Sequence, residues 1–391
     1  MSNRRISILT ALITTLAVAG CNGCKNGTGG NGNSDGGGNT ILVGEYGSMT
    51  GTEAAFGEST DLGVKLAVDE INKKGGINGK QIEVVGPEDT ESNNQKAEIA
   101  VKRLIEKNVV AVIGEVASSR SLAGGGICQA KQVPMISPSS TNEKVTQTGD
   151  FIFRVCFIDP FQGGVIAKFA SDSLKAKTAA IFYDAGQTYS TGIREQFTKA
   201  FTAKGGKVVA EASYSQNDKD FKPQLTKLSA AHPDVIVAPG YYAEGGTMCK
   251  QARDLGINTP MLGGDGWSNA KFHEYAGNKI SNVYFTDHAA MDATTPEITT
   301  YKEAFKSKYS GKEPDSLGAL GYDAMMVLAD SMKRAKSLKG PDLRDAIAAT
   351  KDFHGITGLI TINAERNADK GAVVMEVSEG KFKFKEAIAK P

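Results

Sequence analysis

Hydroxyl side chains are the first residues in this chain whose types and spacing could do chemistry. Ser118 and Ser119 follow the β-branched run Val109 to Ile113, and Ser139, Ser140 and Thr141 follow a second strand-like run, Val133 to Ile136. In an open parallel sheet, ligands settle outside the carboxyl ends of neighbouring strands, which is where both groups stand. A helix starting near Ser118 or Ser119 adds unpaired N–H groups and a positive dipole end, so this corner suits a small anion such as a carboxylate. The competing reading is that these residues are only helix caps and turn formers. The complementary charge is Asp265, set between glycines in Gly263-Gly264-Asp265-Gly266-Trp267 after the short strand Met261-Leu262. An acid so placed can point into a cleft and meet a cation, or it can simply form a turn. Tyr189 follows the strand Ala179 to Tyr183, Tyr241 follows the strand ending at Ala238, and Phe56 lies in the glycine-rich stretch Gly47 to Gly57. For these aromatics the competing reading is ordinary packing.

Other chemistries lack their residues. The sequence has no GxxxxGK[ST], its one GxGxxG spacing (Gly27 to Gly32) falls in the glycine-rich tether outside any expected strand–helix unit, and Gly79-Lys80 is followed by Gln81, so a phosphate loop is not expected. His232, His273, His288 and His354 are scattered, with no HExxH, so no metal site is expected. There is no GxSxG elbow and no nucleophile beside a base, which argues against an enzyme, including an amidohydrolase of amino-acid amides. No cofactor is expected. Lys plus Arg (45) nearly equals Asp plus Glu (44), so no global field points to nucleic acid.

The elements that must position the candidates alternate along the chain. Strands are expected at 41–44, 82–85, 109–113, 133–136, 179–183, 207–212, 235–238, 261–262, 283–286 and 372–377. Helices are expected at 58–74, 93–107, 119–131, 161–175, 190–204, 219–231, 297–309, 317–336 and 341–350. Such alternation implies an α/β protein with mainly parallel sheets flanked by helices. At 391 residues the chain exceeds what one core usually serves, and the pattern restarts after residue 155, so two lobes are expected.

Val112-Ile113-Gly114, Ala117-Ser118-Ser119 and Ile136-Ser137-Pro138-Ser139-Ser140-Thr141 together resemble the bacterial leucine/isoleucine/valine-binding proteins, substrate-binding subunits of branched-chain amino-acid ABC transporters. The resemblance implies a type I periplasmic-binding fold with a three-crossover hinge. It implies an N-terminal lobe of residues 41–157 plus 288–357 and a C-terminal lobe of 158–287 plus 358–391. By the same resemblance Ser118 and Thr141 hold a ligand carboxylate, the Ser139 carbonyl, Thr141 hydroxyl and Asp265 take its ammonium, and Ser140 and Phe56 also contact it. Tyr189 and Tyr241 close over it from the second lobe. The branched-chain binders carry Glu where Asp265 stands, which changes the depth of the pocket or its ligand. The partners implied are a small amino acid and an ABC permease, with the protein working as a monomer. A sensor's ligand-binding component and a binder of short amides or urea-like solutes are the alternatives. The family's short disulfide beside the binding serine is missing, because Ala117 stands in its place.

The termini and cysteines add the setting. Arg4 and Arg5 precede the apolar run Ile6 to Val18, which reads as a secretory signal over residues 1–20. Val18-Ala19-Gly20-Cys21 resembles a lipoprotein lipobox with Val in place of Leu, implying lipidation of Cys21 and a membrane-anchored, periplasmic or extracytoplasmic location. Residues 21–40, nearly all Gly, Asn and Ser after Cys21, read as a flexible tether. In the body, Cys128 with Cys156 is the candidate disulfide, with buried free thiols as the alternative.

Overall fold

The computed structural model describes residues 39–388, and the expected signal, lipidated Cys21 and tether lie outside the described residues. Residues 39–388 belong to one compact unit. Its first sheet contains β1 (Thr40–Gly47), β2 (Gln81–Asp89), β3 (Ala111–Ile113), β4 (Met135–Ser137) and β5 (Ile152–Arg154) in the order β2-β1-β3-β4-β5, all parallel. The second contains β6 (Thr178–Asp184), β7 (Lys207–Tyr214), β8 (Val235–Val237), β9 (Met261–Gly263) and β10 (Val283–Asp287). After a small hairpin of β11 (Phe353–Gly355) and β12 (Gly358–Ile360), β13 (Ala372–Ser378) and β14 (Lys381–Ile388) join that sheet antiparallel, in the order β14-β13-β10-β9-β8-β6-β7.

In each sheet the strand order reverses, at β1 in the first and β6 in the second, and such reversals open crevices at the strands' carboxyl ends. The short central strands are buried on both faces, so they read as unbroken apolar runs rather than alternating ones. Alternation still sorts the core. Val112, Met135 and Ile152 pack with the helices Asn94–Glu106 and Ser118–Lys131, whereas Ile113, Ile136 and Phe153 belong to the larger core that includes the helices Ala54–Lys73 and Ser316–Arg334. The chain crosses between lobes three times: after β5, after β10, and between β12 and β13.

The expected elements differ in instructive places. The helix Tyr242–Asp254 has no counterpart in the sequence reading because Gly245 and Gly246 depress its helical propensity. Both are packing requirements, since a Cβ on Gly245 would lie 2.2 Å from Trp267 Nε1 and one on Gly246 2.7 Å from the Phe272 carbonyl oxygen. The helix placed at 161–175 is α-helical over Asp159–Lys168 and widens to a π turn over Phe169–Ser173. The candidate disulfide is corrected: Cys128, Cys156 and Cys249 are buried free thiols. Cys128 packs on the Val112 side of the first sheet and Cys156 on the Ile113 side, so the sheet itself separates them.

At the hinge, Asp287 ends β10, and its carboxyl accepts from Ser268 of the second lobe and from Ser316 of the first, at 2.6 Å for the latter. Burial pushes this carboxyl up to about 7, against the pull of the two hydroxyls. A raised carboxyl contributes stability that is complete below its unfolded value near pH 4 and is lost as pH rises through about 7. Asp287→Asn is therefore expected to gain on the wild type between about pH 5 and pH 8, by a few kcal/mol at most, in paired thermal melts. The helices Ala54–Lys73 and Ser316–Arg334 touch backbone to backbone, and a Cβ on Gly63 would lie 1.9 Å from the Gly318 carbonyl oxygen. Gly63→Ala is expected to destabilise by about 1–3 kcal/mol despite the better helix former, read as a lower urea midpoint at unchanged slope.

Candidate functional site

Strand ends from both sheets converge on one small cavity. Phe56, Ser139, Tyr189, Tyr241 and Asp265, together with Val116 and Leu317, line a space of about 10 Å³. That is room for roughly one water molecule. Phe56 enters from the first turn of the helix Ala54–Lys73 and meets the Tyr241 ring edge-on at 5.3 Å, and Tyr241 stacks on Tyr189 at 5.2 Å. These aromatics form one wall, and Ser139 and Asp265 bring polar groups to it.

Asp265 lies in a short 3-10 turn, and its carboxylate is held by three side chains. Oδ1 accepts from Gln162 Nε2 at 2.7 Å and from Tyr189 Oη at 2.8 Å, and Oδ2 lies 3.0 Å from His288 Nε2. Burial pushes the His288 imidazole down, so the neutral ring with its proton on Nε2 fits this contact. His288 is fixed in turn by stacking on Phe157 at 3.8 Å. A Cβ on Gly264 would lie 2.4 Å from Tyr189 Oη, so the glycine beside Asp265 lets that hydroxyl approach.

On the first lobe, the hydroxyls divide by role. Ala117, not a serine, occupies the N-cap of the helix Ser118–Lys131, with no side-chain cap bond. Ser118 Oγ instead accepts from the Asn142 N–H at 3.2 Å, which ties the two strand ends together. The N–H groups of Ser118 and Ser119 lie in the helix's first turn, beyond the reach of its own carbonyls. Ser139 Oγ, Thr141 Oγ1 and Tyr241 Oη are buried and make no hydrogen bond within the protein. The Ser140 hydroxyl bonds the carbonyls of Glu115 and Val116 at 2.9 and 2.8 Å and Ser121 Oγ at 2.7 Å, so it braces the two strand ends. The fully buried Arg154 clamps the same loop through the carbonyls of Ser140 and Asn142.

A second polar network joins the lobes beside the cavity, and sequence reasoning missed it. The Arg120 guanidinium, 2% exposed, donates to Glu53, to the Ser92 carbonyl at 2.9 Å and to Gln187 Oε1 at 2.9 Å. Gln216 Nε2 reaches Glu53 Oε1 at 2.8 Å, so Gln187 and Gln216 of the second lobe grip the Arg120–Glu53 pair of the first. Burial pushes the Glu53 carboxyl up to about 8, against the attraction of Arg120. The only sequence signal for this network was charge in the first turns after strand ends, which exposed residues show equally often. Among the described residues no cluster of His, Cys, Asp and Glu is placed to hold a metal ion, and no helix is long and apolar enough to cross a membrane.

Residues 40–381 match the family model described as periplasmic binding protein. The Leu/Ile/Val-binding protein BraC3 of Rhizobium johnstonii is 31% identical over 314 residues, 80% of this chain and 83% of that one. Among solved structures, the leucine-binding protein LivK of Thermotoga maritima is similar at 38% identity and TM-score 0.85, over 89% of this chain and 99% of that one. The branched-chain amino acid transporter substrate-binding protein LivJ of Streptococcus pneumoniae, solved in complex with isoleucine, is similar at 36% identity and TM-score 0.84, over 90% of this chain and 100% of that one. Two parallel-sheet lobes, a three-crossover hinge and strand-end residues meeting between them agree with these likenesses, and the chain belongs to the periplasmic binding protein family, among its Leu/Ile/Val-binding proteins.

Proposed function

We propose that this protein captures a branched-chain or other neutral α-amino acid between its lobes and delivers it to an ABC permease. The observation that carries this reading is the pairing of unmatched, buried Ser139 and Thr141 hydroxyls on one lobe with the Asp265 carboxylate on the other, against an aromatic wall. A zwitterion needs donors for its carboxylate and acceptors for its ammonium, and burial is tolerable only if both ends are paired. Ser118 and Thr141, with their backbone N–H groups, are assigned the carboxylate through charge-assisted bonds. The Ser139 carbonyl, the Thr141 hydroxyl and Asp265 are assigned the ammonium. Phe56, Tyr189 and Tyr241, with Val116 and Leu317, are assigned the side chain.

The space as it stands holds little more than a water molecule, so the lobes must part to load and stand further apart around a bound amino acid than they do here. Contacts from both lobes then favour closure, because only a ligand that binds the closed form better can shift the balance. The Arg120, Glu53, Gln187 and Gln216 network belongs to the closed form and adds to that preference. The reading also assigns Cys21 as the lipidated anchor that holds the protein at the extracytoplasmic face as a monomer.

A thermal-shift screen against the twenty amino acids and related amides, followed by calorimetry, tests the ligand class. Ligand at about 100 times its dissociation constant should stabilise by about 2.7 kcal/mol. Shifts by Leu, Ile or Val are the expected result, and silence from every zwitterion would remove Ser118, Thr141 and Asp265 from their roles. Asp265→Ala is expected to cost several kcal/mol of affinity, as an unpaired buried charge does. Ser118→Ala combined with Thr141→Ala should weaken binding with the melting temperature kept, whereas loss of folding with intact affinity would make them structural. Arg120→Ala is expected to weaken binding tenfold or more by disfavouring the closed form, measured alongside the fraction of closed protein by small-angle scattering.

A further inference from the structure

Behind Thr141 stands a carboxyl that the site as described does not use. Asp159 is 1% exposed, and its backbone N–H donates to the Thr141 carbonyl at 2.9 Å. Its Oδ2 accepts from Asn142 Nδ2 at 2.8 Å, while Oδ1 is buried with no hydrogen bond. The neighbouring Thr141 hydroxyl is equally buried and near enough to draw this carboxyl's pKa down, yet neither it nor Oδ1 forms an aligned hydrogen bond in this geometry. Asp159 also lines a polar crevice of about 140 Å³ whose walls come from both lobes, among them Asn142, Lys144, Thr188 and Glu195. A hydroxyl that must accept from an ammonium needs its own proton directed elsewhere, and Oδ1 is the acceptor within reach.

Resting on the amino-acid reading above, we propose that Asp159 is a positioning residue of the site. Its ionised Oδ1 takes the hydrogen bond from the Thr141 hydroxyl, which leaves the Thr141 oxygen free to accept from the ligand's ammonium. Capture thereby selects ionised Asp159, and the proton it held leaves to solvent. Burial supplies the proton to be lost, since it pushes the free carboxyl up to about 7, with the Thr141 hydroxyl pulling down, Asp265 adding to the push, and Asn142 and Arg154 pulling down. The charged and titratable neighbours are Arg154 and the Cys156 thiol of the first lobe, Asp265 and Tyr189 of the second, and Glu143, Lys144 and Glu195 along the crevice.

The sign follows from linkage: below about pH 7 the free protein holds a proton that binding must expel, so affinity falls as pH falls, and above it the dependence vanishes. The test is calorimetry of the purified protein with L-isoleucine from about pH 5 to pH 8, in pairs of buffers that differ in ionisation enthalpy. The expected result is proton release approaching one per ligand at the acid end, with the dissociation constant rising up to about tenfold per pH unit. Asp159→Asn should abolish the release, bind about tenfold or more weakly at pH 8, and converge on the wild type near pH 5. Glu53 and Asp287 are also raised carboxyls, so release that persists in Asp159→Asn would assign the proton to them and overturn the proposal. A parallel loss of affinity at every pH would make Asp159 merely structural and overturn it too. Isoleucine binding that is independent of pH and buffer in the wild type overturns the role of Asp159 while leaving amino-acid capture standing, whereas no binding heat at any pH overturns both.

Discussion

A carboxylate buried between two lobes must be surrounded by donors, and much of this structure follows from meeting that need at Asp265. Gln162, Tyr189 and His288 each bring a hydrogen to it, and each comes from a different element. They fix the side chain at the cavity wall, which Tyr189 shares with it.

The same requirement recurs wherever the lobes meet. Arg120 cannot lose contact with water unless Glu53, Gln187 and the Ser92 carbonyl replace it, and two of its partners lie in the first lobe and one in the second. At the hinge, Asp287 is bonded by one hydroxyl from each lobe. Opening the lobes would break cross-lobe partners but rehydrate the groups left behind, so each such contact contributes only its modest net hydrogen-bond energy while defining the closed geometry sharply.

Glycine and apolar packing set the scaffold against which these polar groups are held. The contact between Gly63 and Gly318 lets two long helices approach backbone to backbone, and the glycines of the helix Tyr242–Asp254 let it lie on Trp267. The second case hid a whole helix from propensity reasoning, because the residue that lowers local helicity is the one that tertiary packing requires.

The sequence by itself determined where the candidate residues stand. Alternating strand and helix patterns place Ser118, Ser139, Thr141, Tyr189, Tyr241 and Asp265 just beyond strand ends, and a parallel sheet exposes those ends together. That rule is local, so it survives without coordinates. Tertiary structure decided which way each side chain turns and what stands behind it. Ser140 was indistinguishable from Ser139 in sequence, yet only the fold spends its hydroxyl on Glu115 and Val116. Cys128 and Cys156 were a plausible pair until the sheet fell between them. Gln162 and Asp265 are 103 positions apart, and Glu53 and Gln216 are 163 apart, distances over which no periodicity or turn signal carries information. Partners chosen by burial are found only when the chain has closed on itself, since the need to pair a polar group arises from the loss of water and not from its neighbours in sequence.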